Sequence, residues 1–427
     1  MALDKVTTKV IADDAVTGAK IENNPTVAGN LTVAGTSTLT GNATLSGTAT
    51  IAGNATASGK LTVAGDFVPS TPLSHRNMII NGAMIVAQRG NGPKTDTGNA
   101  GYYHTADRMF NFDNCVAANF TRETTNGVIG NESGNTFKDV FPYSWKFASN
   151  GTVSSIPSGD RVIFIYKFEG QDVQHLAKGT PAAKPVTLSF WVKSTQTGNH
   201  QVNLVDNTNT RQIGAVYAVS SANTWEKKVI TFAGDTTGAI VNNNTNGMSL
   251  EWWLTAGTNY STGAVPTSWE ANAAADRAVE QQNYVAGSGR TWQITGIQFE
   301  VGSNATPFEH RSHGEEELKC MRYFLDCSDQ GAEGRAYMCH GNSNNGSSFV
   351  SGEGMFTYTY PVPLRTGNIT FTAIGTWNGS GASQGNTNFG PFTAQTNKHS
   401  CYVKKHTDSV GGNQNTLKVG FQISAEL

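Results

Sequence analysis

A six-residue repeat between residues 30 and 66 constrains this chain more than any other feature. Glycine occupies every sixth position from Gly29 to Gly65, and threonine every sixth position from Thr32 to Thr62. The residue after each threonine is small or aliphatic, so each copy has the alternation of a short β-strand, and the glycine permits a turn. Such strict spacing favours a stack of short strands over the alternative of a flexible linker, which needs only a suitable composition.

One strand of this kind is too short to be stable alone. Two arrangements would stabilise it, namely a single-chain parallel β-helix or a triangular shaft of three identical chains. At about 4.8 Å per layer the repeat gives a rod of only about 30 Å, which is too short for an independent domain, so we favour the trimeric β-shaft. The aliphatic residues predicted to form the trimer shaft are Val33, Leu39, Leu45, Ile51 and Val63.

Composition limits the class of protein. The chain has 427 residues, a net charge of -2 and 15% charged residues, so it lacks the basic surface typical of nucleic-acid-binding proteins. Its 47 glycines, with abundant Asn, Thr and Ser, indicate an all-β protein rich in turns. We expect no signal peptide and no membrane insertion, because the sequence has no suitable apolar run. The five cysteines are irregularly spaced and are predicted to be free thiols.

Changes in composition divide the chain into segments. The predicted segments are an attachment arm (1–25), the hexapeptide-repeat shaft (26–66), a linker (67–74), a jelly-roll-like β-sandwich (75–312), a connecting helix (313–327) and a C-terminal β-rich tip domain (328–427). The helix is predicted because Leu318, Met321 and Leu325 would share one face behind an acidic first turn.

Strands are predicted wherever apolar and polar residues alternate between turn signals. In the sandwich the candidates include Met78–Val86, Arg108–Phe112, Ser144–Ala148, Arg161–Phe168, Val186–Lys193, Gln201–Val205, Lys227–Phe232, Met248–Leu254 and Trp292–Glu300. In the tip they are Gly354–Tyr360, Asn368–Ile374, His399–Lys404 and Thr416–Ile423.

Two separate stretches resemble the two ends of one known module. The first motif, residues 75–90, reads His-Arg-Asn-Met-Ile-Ile-Asn-Gly-Ala-Met-Ile-Val-Ala-Gln-Arg-Gly. The second motif, residues 294–324, begins Ile-Thr-Gly-Ile-Gln-Phe-Glu-Val-Gly and ends Glu-Glu-Glu-Leu-Lys-Cys-Met-Arg-Tyr-Phe. Together they resemble the opening and the close of a domain found in tailed-bacteriophage tail fibres. Residues 12–21 also resemble repeats near the virion end of such fibres.

This resemblance implies a homotrimeric tail fibre that is part of the virion and is assembled in the host cytoplasm. The arm would bind phage tail or adaptor proteins. The sandwich, which in that group is similar to carbohydrate-binding β-sandwiches, or the tip would bind a bacterial cell-surface glycan or other receptor. Two alternatives stay open: a purely structural virion appendage without receptor binding, and a polysaccharide-degrading tailspike.

Aromatic side chains in loop-rich polar stretches are the candidate sugar-binding groups, because their faces stack on the apolar faces of pyranose rings. We select Trp252, Tyr260 and Trp269 in the sandwich, and Trp377 and Tyr402 in the tip. Trp252 is followed directly by a second tryptophan, so the two must point to opposite faces of a strand. For each candidate, packing in the core or between subunits is the alternative.

No catalytic site, metal site or cofactor is predicted. Residues 381–385 read Gly-Ala-Ser-Gln-Gly and match the serine-hydrolase elbow, but no histidine follows Asp408 to complete a triad. His310 and His313 precede three glutamates that are better explained as charges at a helix N-terminus than as metal ligands. We therefore expect a protein that is not an enzyme.

The shaft hypothesis predicts a trimer in solution. Light scattering coupled to size exclusion should give three chains for the full-length protein, and deletion of residues 1–66 should weaken or dissociate the trimer because the stacked strands are lost. A monomer at both lengths would contradict the trimeric shaft.

Overall fold

The computed structural model describes most of the chain after residue 74. The described residues are 36, 51, 74–96, 100–115, 118–124, 140–327, 353–365, 369–380, 392–406 and 416–427. The chain divides into two units, Met1–Val68 and Pro69–Leu427. Of the predicted shaft residues, Val33, Leu39, Leu45 and Val63 lie outside the described residues, and Ile51 is 63% exposed in the single chain. The shaft, the trimer and the attachment arm therefore stay predictions.

The described residues form nineteen strands and two short α-helices. The strands are β1 (Lys94–Asp96), β2 (Ala100–Tyr103), β3 (Phe110–Asp113), β4 (Ala118–Thr124), β5 (Tyr143–Ser149), β6 (Arg161–Glu169), β7 (Val186–Ser194), β8 (Gly198–Asp206), β9 (Arg211–Val219), β10 (Glu226–Phe232), β11 (Asn246–Ala256), β12 (Glu270–Ala271), β13 (Thr291–Val301), β14 (Phe324–Asp326), β15 (Glu353–Thr359), β16 (Thr370–Ser380), β17 (Phe392–Thr396), β18 (Ser400–His406) and β19 (Thr416–Ser424). The helices are α1 (Thr258–Ser261) and α2 (His313–Met321).

Strands β1 to β13 form a sandwich of two antiparallel sheets. The six-stranded sheet has the order β1-β4-β5-β13-β7-β10, and the seven-stranded sheet has the order β12-β9-β8-β11-β6-β3-β2. Their inner faces enclose one apolar core that includes Trp145, Phe164, Phe190, Trp252 and Trp292. Each fully buried aromatic side chain contributes about 2 to 3 kcal/mol through removal from water. The prediction of a β-sandwich is confirmed, and the described residues are mostly β-strands.

Most predicted strands are confirmed to within a few residues, and one predicted strand is wrong. Residues 78–86 form no strand, because Asn81 and Met84 adopt left-handed backbone angles (φ 62° and 57°) that an extended strand excludes. Several strands, among them β9, were not predicted, and β9 contains a glycine, Gly214. A side chain there would approach the side-chain amide oxygen of the buried Asn203 to 2.4 Å, so the close packing of β8 against β9 favours glycine.

The first and second motifs pack against each other. The Asn77 amide donates to the Ile297 carbonyl (3.1 Å), and its oxygen accepts from the Phe299 amide (3.1 Å). Arg311 pairs with Glu316 (2.9 Å), which also accepts from the Asn81 backbone amide. The two stretches that carry the family resemblance are therefore joined by one buried hydrogen-bond network.

The connecting helix is shorter than the predicted span of 313–327. Helix α2 begins after Ser312, whose hydroxyl accepts from the Glu315 amide, and it ends at Met321. Residues 324–326 form strand β14, which pairs with β19. The predicted apolar face is wrong, because Leu318 is 48% exposed and Leu325 is buried in the strand. The buried run from residue 323 to 325 gains more by joining a sheet than by continuing a helix.

Two three-stranded sheets, β14-β19-β16 and β15-β18-β17, form the C-terminal part. Their small core includes Leu325, Tyr360, Cys401, Phe421 and Ile423. The four described cysteines form no disulfide, as predicted, and Cys339 lies outside the described residues. The division into six segments stays a prediction.

A buried histidine lies between the sheets of the sandwich. His200 on β8 is fully buried, and its ring stacks on Tyr217 at 5.2 Å between centroids. Its Nε2 lies 2.7 Å from the Tyr284 hydroxyl, and its Nδ1 lies 3.1 Å from the Gly198 carbonyl. With Nδ1 protonated, Nε2 accepts from the tyrosine. Burial lowers the pKa of His200 to about 4, so the neutral imidazole is the folded form.

Acid should therefore destabilise the sandwich through His200. The pKa of His200 is lower in the folded state than its value of about 6.5 in the unfolded state, so the free energy of unfolding decreases as pH falls from about 6.5 towards 4. The decrease due to this group is up to about 3 kcal/mol. In His200→Gln this part of the pH dependence should vanish, whereas His399→Gln, a change at an exposed site, should leave it intact. The measurement is urea unfolding between pH 7 and 4. If the free energy of unfolding of His200→Gln depends on pH as steeply as that of the wild type, His200 is not the group responsible.

Candidate functional site

The outer face of the seven-stranded sheet combines aromatic, amide and charged side chains. Strand register places two rows across it. The first row is Tyr103, Phe110, Ile165, Glu251, Asn203 and Gly214. The second row is Gly101, Phe112, Ile163, Trp253, Gln201 and Val216. Arg161 and Lys167 lie on this face at opposite ends of β6, because side chains alternate along a strand.

One half of the outer face is covered by the segment between β11 and β13. The Gln201 side chain donates to the Asp276 carbonyl (2.7 Å), and the Asn203 side chain donates to the Arg277 carbonyl (2.6 Å). These amides are fully buried. They therefore anchor the covering segment and are not available to a ligand.

Trp253 marks the boundary of the covered half. Its side chain is 1% exposed, and its ring lies 5.2 Å from that of Tyr260 in the covering segment. The indole N–H donates to Glu251 (3.1 Å), and the Glu251 carboxylate lies 3.5 Å from the Arg277 guanidinium. The only acidic residue of the two rows is thus already paired.

The other half of the face is partly open. Phe110, Phe112 and Ile165, which we name the aromatic strip, are half-buried on neighbouring strands β3 and β6. Phe110 lies over β2, where a side chain at Gly101 would approach its ring to 2.0 Å. Glycine at that position therefore lets the ring lie flat against the sheet.

Arg161 is held at one end of the aromatic strip. Its guanidinium carbon lies 4.5 Å from the centre of the Phe112 ring and 4.8 Å from that of Tyr260. It also donates a hydrogen bond to the Tyr260 hydroxyl. Partial burial lowers the pKa of Arg161. Within the part of the chain that the structure describes, no carboxylate lies within ion-pair distance of this guanidinium.

Lys167 lies at the other end of the aromatic strip. Its ammonium is 3.7 Å from the centre of the Phe110 ring and donates to the Leu427 carbonyl (2.6 Å). The Tyr103 hydroxyl donates to the same oxygen (2.8 Å). Burial, reinforced by the positive charge of Arg108, lowers the pKa of Lys167 to about 8.

The predicted site residues in the sandwich occupy different environments. Trp252 is fully buried and packs against Phe164 and Phe190 in the core, which argues against a ligand-binding role. Tyr260 borders the aromatic strip and stays a candidate. Trp377 and Tyr402 lie on β16 and β18, but their side chains are outside the described residues, so their predicted roles stay predictions.

Trp269 lies beside a buried cation rather than on the outer face's aromatic strip. Its indole N–H donates to the Ala233 carbonyl (2.7 Å), and its ring lies 5.2 Å from the Lys178 ammonium. That ammonium contacts Asp206 (2.5 Å) and Asp235 (3.0 Å), and it also donates to two backbone carbonyls. These contacts favour a structural role for Trp269.

The remaining sequence patterns add no further site. The Gly-Ala-Ser-Gln-Gly stretch at 381–385 lies outside the described residues. Within the described ranges, no group of three or more His, Cys, Asp or Glu side chains is arranged to hold a metal ion. No helix in those ranges is long and apolar enough to cross a membrane.

Sequence reasoning missed Phe110, Phe112 and Arg161. The sequence feature that could have pointed to these residues is the alternation along β3 and β6, where every second residue points to the outer face. That alternation does not reveal which face is covered by a second layer, so the open strip could not be located from it.

The sequence matches no protein-family model and no curated protein. Among solved structures, the enzymatically active domain of bacteriophage CBA120 tailspike protein 4 is similar with a TM-score of 0.27 and 10% identity, over 53% of this chain and 21% of that chain. The family 11 carbohydrate-binding module of Clostridium thermocellum Lic26A-Cel5E is similar with a TM-score of 0.22 and 11% identity, over 52% of this chain and 99% of the module. The TmCBM61 module solved with beta-1,4-galactotriose gives a TM-score of 0.20 and 10% identity, over 43% of this chain and 82% of the module. These likenesses are distant.

Replacing the buried lysine should destabilise the sandwich strongly. Lys178→Met would leave the buried carboxylates of Asp206 and Asp235 without this cation, so we expect a loss of about 3 to 5 kcal/mol in the free energy of unfolding. Lys184→Met removes an exposed lysine nearby in sequence and should change stability by less than about 0.5 kcal/mol. Urea unfolding of both variants makes the comparison. Equal stabilities would contradict the role given to Lys178.

Proposed function

We propose that this chain is a homotrimeric tail fibre of a tailed bacteriophage that attaches the virion to its host by binding a cell-surface glycan. The observation that carries the proposal is the half-open aromatic strip on the outer face of the seven-stranded sheet. Phe110 and Phe112 offer apolar ring surface there, and Arg161 and Tyr260 offer polar groups at its border. Apolar surface with a few fixed polar groups is the usual composition of a small-ligand site.

The sequence supports the virion part of this proposal. The first and second motifs resemble the two ends of a tail-fibre domain, and the hexapeptide repeat favours a trimeric shaft. In the proposed fibre the arm, residues 1–25, binds phage tail or adaptor proteins, and the protein is assembled in the host cytoplasm. Three copies of a weak glycan site act together once the fibre is trimeric, because the second and third contacts are intramolecular.

The proposed function is binding without catalysis. Glycoside hydrolysis requires two carboxyl groups no more than about 9.5 Å apart. On the outer face, Glu251 on β11 and Glu270 on β12 have β8 and β9 between them, and three strand spacings of about 4.8 Å separate such residues by about 14 Å. This spacing supports a binding role for the face over a glycosidase role.

Loss of one ring from the aromatic strip should weaken glycan binding. We expect Phe112→Ala to reduce the affinity of the fibre for host surface glycan by about tenfold, equivalent to about 1.4 kcal/mol, because a stacking surface is lost. Tyr102→Ala is the matched control, since Tyr102 is 45% exposed on the neighbouring strand β2 but points to the opposite face. Binding is measured by biolayer interferometry on immobilised glycan and by adsorption to host cells.

Other outcomes would separate the alternatives. A folded fibre that does not bind host cells or their glycan would favour a purely structural appendage. Release of oligosaccharides that is lost in Glu251→Gln would favour a polysaccharide-degrading tailspike. Equal binding by wild type, Phe112→Ala and Tyr102→Ala would place the receptor site elsewhere in the chain.

A further inference from the structure

We infer that the glycan bound at the outer face is acidic, and that the Arg161 guanidinium pairs with its anionic group. This inference rests on the proposed function and specifies its ligand. The observation behind it is the position of Arg161, which is half-buried between the Phe112 and Tyr260 rings on the open half of the face.

Unlike many arginines of the described residues, Arg161 has no carboxylate at ion-pair distance, a feature that it shares with Arg290. Among the described residues, Arg108, Arg211, Arg277, Arg311 and Arg322 each pair with a carboxylate. Arg161 has the Tyr260 hydroxyl and two aromatic faces instead. A partly desolvated cation without a counter-ion costs free energy, which the two ring faces offset only in part.

An anionic group on the ligand would supply the missing charge. The guanidinium presents N–H groups in a planar fork that fits a carboxylate or a phosphate, and the flanking rings fix the plane of that fork. A glycan that stacks on Phe112 would bring its substituents to the same end of the strip. Phe112 would then orient the sugar by stacking, and Arg161 would select the glycan that carries an anionic group.

The acidic side chains nearest to Arg161 make their contacts with other groups. Glu251 contacts Arg277 (3.5 Å) and the Trp253 indole (3.1 Å), and no ion pair joins it to Arg161. Asp160, the residue before Arg161, accepts from the Asn114 side chain (3.4 Å). The guanidinium of Arg161 is therefore left without a carboxylate at ion-pair distance among the described residues, and an anionic group of the ligand could take that position.

A second cation stands at the far end of the strip. Lys167 is six residues from Arg161 on the same strand, which corresponds to about 20 Å at 3.3 Å per residue. The two cations thus bracket the aromatic strip, with Phe112 beside one and Phe110 beside the other. This arrangement fits a chain of sugars with an acidic group in more than one unit.

The test uses the full-length fibre and the surface glycan of a strain to which it adsorbs, prepared in three forms: native, carboxyl-reduced and dephosphorylated. If a carboxylate is recognised, carboxyl reduction should weaken binding at least tenfold, and dephosphorylation should not. If a phosphate is recognised, the pattern reverses. Binding of the native glycan should also weaken as salt concentration rises, because exposed charge pairs are screened.

Variants of Arg161 test whether its guanidinium causes the preference for the anionic glycan. Arg161→Gln should lower affinity for the native glycan about tenfold but leave affinity for the neutralised glycan unchanged, whereas a merely structural role would lower both equally. Arg161→Lys should restore part of the loss, since it keeps the charge without the fork. Lys398→Gln removes one exposed positive charge elsewhere and is the matched control.

Two results would overturn the inference in distinguishable ways. If all three glycan forms bind wild type equally while Phe112→Ala still weakens binding, the site is a glycan site and the acidic specificity is wrong. If wild type binds none of the three forms, the proposed glycan binding fails, and the inference fails with it.

Discussion

The buried ion pair between Arg311 and Glu316 is the interaction on which closure of the sandwich depends. Its 2.9 Å contact positions Glu316 to accept from the backbone amide of Asn81, which is 235 residues away in the sequence. Arg311 also donates to the carbonyls of Asn77 and Ile79. Removal of one partner would leave a buried charge without compensation, so the two ends of the domain hold each other in place.

The same first motif also holds the C-terminal part against the sandwich. The Gln88 amide donates to the Phe324 carbonyl (2.7 Å) and to Asp107 (2.6 Å), and the Arg89 guanidinium lies 3.4 Å from the Phe324 ring. Glu426 pairs with Arg89 and with the buried guanidinium of Arg108. The residues that carry the family resemblance therefore maintain the fold, and none of them lies on the aromatic strip. This explains why the resemblance indicates an architecture without indicating a ligand.

The candidate site was only partly predictable. Adjacency required Trp252 and Trp253 to point to opposite faces, and they do, but both are buried because the segment between β11 and β13 covers the second face. Phe112 and Arg161 are ordinary members of alternating strands in the sequence. They become a site because register sets β3 beside β6, and because Tyr260 is brought to Arg161 from 99 residues further along the chain.

The sequence by itself indicated the β-rich fold class and most of the described strands. Alternating apolar and polar residues, bounded by turn residues, indicated most strands of the sandwich. In any β-strand every second side chain lies on the same face, whatever that face later packs against. Tertiary structure decided which face would be core, covered or open, and where helix α2 would end. It also decided which cations would have partners. These outcomes depend on contacts between residues far apart in the chain, and no local pattern specifies them.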